Sequence, residues 1–321
     1  MRPFQYVRPI DGDAAVAALA APGAVPIGGG TDLVPLWREG LAAPATVVEV
    51  PAGADAVRET PDGHLEIAAG ARLAVLAEHP VLTRRAAALA AACASVGSPA
   101  LRAQGTLGGN LGQRPRCWYW RAGHACAKSG ASGCPAVAGA HHHHAIVEGG
   151  PCWAVHPSDP AVALLALEAV LHVRSIAGGR EIPIADFFVR PSDDPTRETV
   201  LDAGELITHV TVPPVSLDGA QTWDKVLQRG AWDFALVSLA TVRRADGDVR
   251  LVLGGVGPRP WRVNDSIEED VASGGLDDDS IEALAERALY DAEPLPGTRY
   301  KVAQARTLLV RAMRRLGGAR P

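Results

Sequence analysis

The sequence predicts an α+β protein of two units, residues 1–215 and 216–321, on three observations. The chain has 321 residues, enough for two domains with a sizeable core. Pro213-Pro214 and the loop to Gln221 interrupt the pattern as a domain boundary does, because a proline cannot donate to a strand ladder or continue a helix. Beyond them, residues 222–228, 235–243 and 249–256 alternate as three strands, with Asp246-Gly247 marking one hairpin turn. Helical patterns then fill 264–272, 279–292 and 300–316. A three-stranded sheet backed by helices is the expected small C-terminal unit.

The N-terminal unit reads in order as follows. Residues 13–21 form a short amphipathic helix. Residues 24–34 are an apolar strand that runs into Gly28-Gly29-Gly30 and Thr31-Asp32, then a helical stretch to about Glu39. Strands follow at 46–50 and 65–68, and helices at 73–78 and 84–95; Cys93 lies on the Ala-rich face of the last and reads as a small core residue. Ser158-Asp159-Pro160 opens a helix over 161–170, with Ser158 or Asp159 as its N-cap. A hairpin over 170–175 and 180–184, a loop rich in Pro, Asp and Arg to about 198, and a strand over 205–212 complete the unit.

Two glycine-rich turns carry the first chemical signal. Gly28-Gly29-Gly30 lets backbone approach a ligand closely, and its N–H groups can converge on phosphate oxygens. It is neither a Walker loop nor GxGxxG, and a bare strand-to-helix turn would explain it equally well. Gly105-Thr106-Leu107-Gly108-Gly109-Asn110 is the second turn, about 75 residues on, closed by an Asn that both donates and accepts. Two such turns suit a dinucleotide clamped from two sides.

The second signal is the stretch after it. Four of the five cysteines, Cys117, Cys126, Cys134 and Cys152, are spaced C-x8-C-x7-C-x17-C. Structural zinc sites pair their thiols as C-x2-4-C, and the bacterial ferredoxin run is C-x2-C-x2-C; neither occurs. Scattered thiols suit a four-thiolate [4Fe–4S] cluster better than zinc, with zinc and free thiols or disulfides as the alternatives. No Asp or Glu falls between Glu78 and Glu148, while Arg84, Arg85, Arg102, Arg114, Arg116, Arg121 and Lys128 do. The expectation is an acid-free surround that stabilises negative groups, here a flavin pyrophosphate and an iron–sulfur cluster. His141 to His144 read as a solvated loop.

The net charge of −5 offers no pull on nucleic acid or anionic membranes, and no apolar run is long enough to span a bilayer. Residues 1–6 carry no apolar signal core, so the cytoplasm is the default expectation, with the periplasm reachable by co-export with a signal-bearing partner.

Pro26-Ile27-Gly28-Gly29-Gly30-Thr31-Asp32-Leu33, Gly105-Thr106-Leu107-Gly108-Gly109-Asn110 and Ser158-Asp159, with Lys225, the 232–238 run and Leu253-Gly254-Gly255-Val256, resemble the FAD-binding subunit of molybdenum hydroxylases. The resemblance covers nearly the whole chain. An insertion of roughly 35 residues between the Gly-Gly-Asn and Ser-Asp motifs, at about 112–155, holds the four cysteines and resembles the aldehyde oxidoreductase type, which carries an extra [4Fe–4S] cluster there. The resemblance implies a vanillyl-alcohol-oxidase (PCMH) type FAD-binding domain in two subdomains plus the small C-terminal domain. It implies that Val25, Pro26, Ile27, Gly28, Gly29, Gly30, Thr31, Asp32 and Leu33 wrap the pyrophosphate, with Thr106, Gly109 and Asn110 nearby. It further places Val96 and Ile207 against the cofactor, Asp159 on its sugar chain, Lys225 near the flavin ring, and Cys117, Cys126, Cys134 and Cys152 on the cluster.

The same resemblance implies FAD and a [4Fe–4S] cluster as cofactors, and a molybdenum-cofactor large subunit and a [2Fe–2S] small subunit as partners in a heterotrimer. Substrate would be oxidised on the molybdenum partner, and this chain would pass electrons to an external acceptor. The alternatives are a 4-hydroxybenzoyl-CoA reductase-like β subunit, a stand-alone FAD oxidase and a zinc-stapled binding module. No candidate catalytic base sits in the motifs.

Overall fold

The computed structural model describes residues 3–53, 55–230 and 232–317; Met1 and Arg2, which begin the N-terminal stretch read above, lie outside it. Three sheets organise the chain. The first is parallel and three-stranded: β1 (Gln5–Val7), β2 (Ala24–Ile27) and β3 (Thr46–Glu49), in the order β1-β3-β2. The second is antiparallel and five-stranded: β4 (Val57–Glu59), β5 (Leu65–Ala68), β6 (Val170–Ser175), β7 (Gly178–Pro183) and β8 (Leu206–Val212), in the order β4-β5-β8-β6-β7. The third is antiparallel and four-stranded: β9 (Ala220–Val226), β10 (Val237–Arg243), β11 (Val249–Gly254) and β12 (Trp261–Arg262), in the order β12-β11-β10-β9.

This is the expected mixed α+β architecture, with differences at edges. The C-terminal sheet has four strands where three were expected, because β12 is a two-residue edge strand too short to show a period. The edge strands β1 and β4 were likewise missed, at three residues each. The single helix expected over 84–95 is two, Pro80–Arg85 and Ala87–Ala94, broken at Ala86.

The helix Asp159–Ala166 is buried along all eight of its residues, so its small, all-apolar sequence after Asp159 needs no solvent face. It packs between the Ala87–Ala94 helix and strands β10 and β11 of the C-terminal sheet. Ala240, Val242 and Val252 of that sheet join the same core as Leu164 and Leu167. The other face of the C-terminal sheet is covered by Asp265–Ser273, Asp278–Arg287 and Arg299–Gly317. The N-terminus of the buried central helix, with Asp159, is thereby fixed at a junction of all these elements.

Candidate functional site

β2 leaves the parallel sheet into the turn at 28–32, which enters the short helix Leu33–Arg38. The second turn enters the helix Leu107–Leu111, capped by Thr106, whose Oγ1 accepts from the Gly109 N–H at 3.2 Å. The turns meet. A Cβ on Gly29 would overlap the Gln104 carbonyl, so only glycine permits this approach. Gly30 takes φ +69°, in the left-handed region. The glycines therefore serve turn-to-turn contact as well as ligand approach, which the sequence alone did not show.

Together the turns wall a cavity of about 580 Å³. Val25, Pro26, Ile27, Gly28, Gly29, Gly30, Thr31, Asp32, Leu33, Val96, Thr106, Gly109, Asn110, Asp159 and Ile207 all line it. Lys225 is the exception among the anticipated residues: it stands behind Asp159, not on the wall. Both are buried, and Lys225 Nζ donates to Asp159 Oδ2 at 2.6 Å and to the Ser95 carbonyl at 2.9 Å. Burial pushes the Asp159 carboxyl above its ordinary range, and the Lys225 ammonium pulls it back. Ser158, not Asp159, is the N-cap: its Oγ accepts from the Ala161 N–H at 3.1 Å and donates to Asn110 Oδ1 at 2.6 Å, tying the second turn to the central helix.

Sequence reasoning missed part of the wall. Arg229, Trp232 and Phe234 line it from beyond residue 216, and Arg114 and Arg116, anticipated only as part of a cationic surround, line it too. Trp232 is 61% exposed at φ +55°, with the Arg229 guanidinium 5.6 Å from its ring centre. An exposed aromatic in a strained backbone was visible only as a Trp-Asp-Phe run.

The family described as the FAD binding domain in molybdopterin dehydrogenase matches residues 2–215, which hold both turns and Asp159. The chain belongs to this family. It is 40% identical to the aldehyde oxidoreductase FAD-binding subunit PaoB of Escherichia coli (strain K12) over 269 residues, 82% of this chain and 84% of that one. Two solved structures share the fold. Quinoline 2-oxidoreductase from Pseudomonas putida 86 superposes with a TM-score of 0.74 at 22% identity, over 99% of this chain and 98% of that one. Carbon monoxide dehydrogenase from Hydrogenophaga pseudoflava superposes with a TM-score of 0.72 at 22% identity, over 98% and 97%. The chain is thus an FAD-binding subunit of the oxidoreductase class.

Beside the flavin cavity lies the insertion. Cys117, Cys126, Cys134 and Cys152 line one small void of about 10 Å³, with Trp120 and Lys128 in its wall. Among the described residues no group of three or more His, Cys, Asp or Glu is arranged to hold a metal ion. Burial pushes the Cys117 thiol up and that of Cys152 up to about 11, so without a metal both are neutral at pH 7. Cys93 is fully buried in the core, as expected, its thiol pushed up to about 12.

A third cavity, of about 170 Å³, shares wall residues with both sites. It shares Arg116, Pro157, Asp159, Asp233 and Phe234 with the flavin cavity, and Cys117 and Ala154 with the thiol void.

Two expectations are corrected here. The surround is acid-free only along the chain. Asp32 meets Arg116 at 3.0 Å and Arg121 at 2.8 Å, Glu39 meets Arg121 at 3.2 Å, and Glu198 meets Arg114 at 2.6 Å and Lys128 at 2.8 Å. Folding brings carboxylates from other elements to nearly every cation there, so the expected field of unpaired positive charge is absent from these residues.

Nor is the histidine run a solvated loop. His144 is 2% exposed, with Nε2 3.4 Å from Cys117 Sγ. Trp118 packs against His142, His143 and His144. His141 Nε2 accepts from the Gly297 N–H at 2.9 Å, Tyr300 donates to the His142 carbonyl at 2.7 Å, and Lys301, itself buried, donates to the His143 carbonyl at 3.2 Å. The run is an anchor between the insertion and the C-terminal helices.

Proposed function

We propose that this chain is the electron-transferring FAD subunit of a molybdenum-dependent aldehyde oxidoreductase complex, and that Cys117, Cys126, Cys134 and Cys152 hold a [4Fe–4S] cluster. The observation that carries the reading is the set of adjoining cavities: flavin site, thiol void and the third cavity that shares wall residues with both. The 40% identity to a subunit named for aldehyde oxidoreductase and FAD supports the reaction class. Residues 1–215, with the insertion at about 112–155, form the FAD-binding domain on this reading, and 216–321 the C-terminal domain. A molybdenum-cofactor subunit and a [2Fe–2S] subunit complete a heterotrimer, and substrate is oxidised there.

The residues fit these groups. Four thiols from separate points of an irregular loop line one small void, and scattered single thiols suit a cube reached from several directions. Buried Lys128 in its wall and His144 beside Cys117 supply a cation and an imidazole toward thiolate charge. At the flavin site, glycine turns present backbone to the pyrophosphate, and the Asp159–Lys225 pair fixes a carboxylate on the wall for hydroxyl groups. When bound, FAD accepts and releases electrons singly or in pairs, and the chain's part is binding, orientation and electrostatics. Ile207, Val96 and Leu36 keep the cavity wall apolar.

The test is an anaerobic visible spectrum with iron, sulfide, zinc and flavin analysis of the purified full chain. About four irons with one FAD is the expected result. Cys126→Ser should remove the iron and leave the flavin. Zinc, or no metal, alongside FAD would overturn the cluster and leave the flavin site standing.

A further inference from the structure

Asp32 occupies the N-cap position of Leu33–Arg38 yet makes no side-chain capping bond. Its carboxylate is directed elsewhere. Oδ2 accepts from the Arg114 N–H at 2.8 Å, and Oδ1 meets Arg121 at 2.8 Å and Arg116 at 3.0 Å. Arg121 also donates to the Pro115 carbonyl at 2.9 Å, and Arg116 donates to the Arg114 carbonyl. Every one of these partners belongs to the eight residues 114–121, which contain Cys117. We infer that Asp32 is a clasp, not a cofactor ligand: it fastens segment 114–121 to the flavin turn, so that FAD occupancy and the order of the thiol loop are linked.

The link is physical because the two sites share a wall. Arg114 and Arg116 line the flavin cavity, and Cys117, the next residue, lines the thiol void. Asp32 is Arg116's only salt-bridge partner among the described residues, and Asp32 is divided with Arg121 and the Arg114 amide. Arg114 and Arg116 would face an anionic group of a bound cofactor from the wall that Asp32 fastens from behind. Linkage is reciprocal: a ligand that orders the wall binds better to a chain whose wall is already fastened. The inference rests on the FAD site but needs no metal.

Amide hydrogen exchange on the full chain tests it, with flavin stripped and then restored. In the wild type, FAD should slow exchange across 112–126 by about tenfold or more. The Arg114 amide reports the clasp directly. Arg121→Gln, outside the flavin cavity, and Asp32→Asn should each speed its exchange by about tenfold, as loss of a charge-assisted bond implies, with flavin present. Equal wild-type exchange with and without FAD overturns the link. Flavin loss in Asp32→Asn with unchanged exchange at Arg114 overturns the clasp and makes Asp32 a ligand. If Asp32→Asn does not fold, Arg121→Gln carries the test. If the wild type takes up no FAD, the flavin assignment fails, and the clasp is still decided by Arg114 exchange in the two variants.

Discussion

The flavin cavity and the thiol loop are built by opposite means. The cavity is made of backbone: two glycine turns that touch, each leading into a helix on a sheet-and-helix frame. The loop has little regular structure beyond Trp118–Arg121, a single 3-10 turn at Ala127–Ser129 and Pro135–Ala138. Its order comes from side chains far away in sequence: Asp32, Glu39 and Glu198 on its cations, Tyr300 and Lys301 on its carbonyls. A backbone site is robust to surface charge but intolerant of a single methyl group. A site ordered by ionic and carbonyl contacts is the reverse. Variants can test that contrast.

The largest effect is expected where a buried charge supports the cavity. Lys225→Met leaves Asp159 buried without its cation, a loss of about 3–5 kcal/mol. Urea unfolding measures it, and adding Asp159→Asn should restore much of the loss, because the uncompensated charge is gone. A loss near zero for Lys225→Met would mean that water reaches Asp159 and that the central helix does not anchor the cavity.

A smaller effect separates the two regions. Gly29→Ala places a methyl group on the Gln104 carbonyl and should cost about 1–3 kcal/mol as overpacking, with weaker flavin binding because the turns are forced apart. Gly123→Ala sits in the thiol loop at φ +80° with open space around it, so it carries only the left-handed penalty of about 1 kcal/mol and leaves flavin affinity unchanged. Flavin titration of both variants decides. Equal losses of affinity would break the contrast between a backbone site and a side-chain site.

What the sequence disclosed follows the same division. Both turns were legible because their signal is local, glycine where backbone must approach, whereas Asp159 and Ile207 were placed at the cavity by family likeness. The long strands β6, β8, β10 and β11 were legible because they alternate over six or seven residues. β1, β4 and β12, at two or three residues, were not. The charge around the thiols was misread because a run free of acid in sequence says nothing about Glu198, 70 residues after Lys128, arriving within 2.8 Å of it. The histidine run was misread for the same reason: its partners, Gly297, Tyr300 and Lys301, lie over 150 residues away. Lys225 was placed at the cavity by family likeness, but the geometry sets it one layer back, acting on Asp159.

The last effect is graded by pH and comes from the seam between the two regions. His156 is buried with its ring against Phe188, its Nδ1 accepting from the Ser158 N–H at 3.4 Å. Burial pulls its pKa down to about 3, helped by Arg116 and Lys128 and opposed by a backbone hydrogen bond to Leu111 and by Asp32. The folded state therefore holds a neutral imidazole across the window in which the unfolded chain, at the ordinary 6.5, takes up a proton. Stability from this residue is complete above pH 6.5 and falls as the pH drops toward 3, by about 1.4 kcal/mol for each pH unit well inside that window. His144, pulled down to about 4 by burial, adds a slope of the same sign. His156→Asn keeps an acceptor for the Ser158 amide and removes the titration. Urea midpoints between pH 7 and 5 should therefore slope less steeply in the variant, by the contribution of one histidine. Equal slopes would mean that the imidazole is protonated or hydrated in the fold, and that the seam between flavin site and thiol loop is open to water.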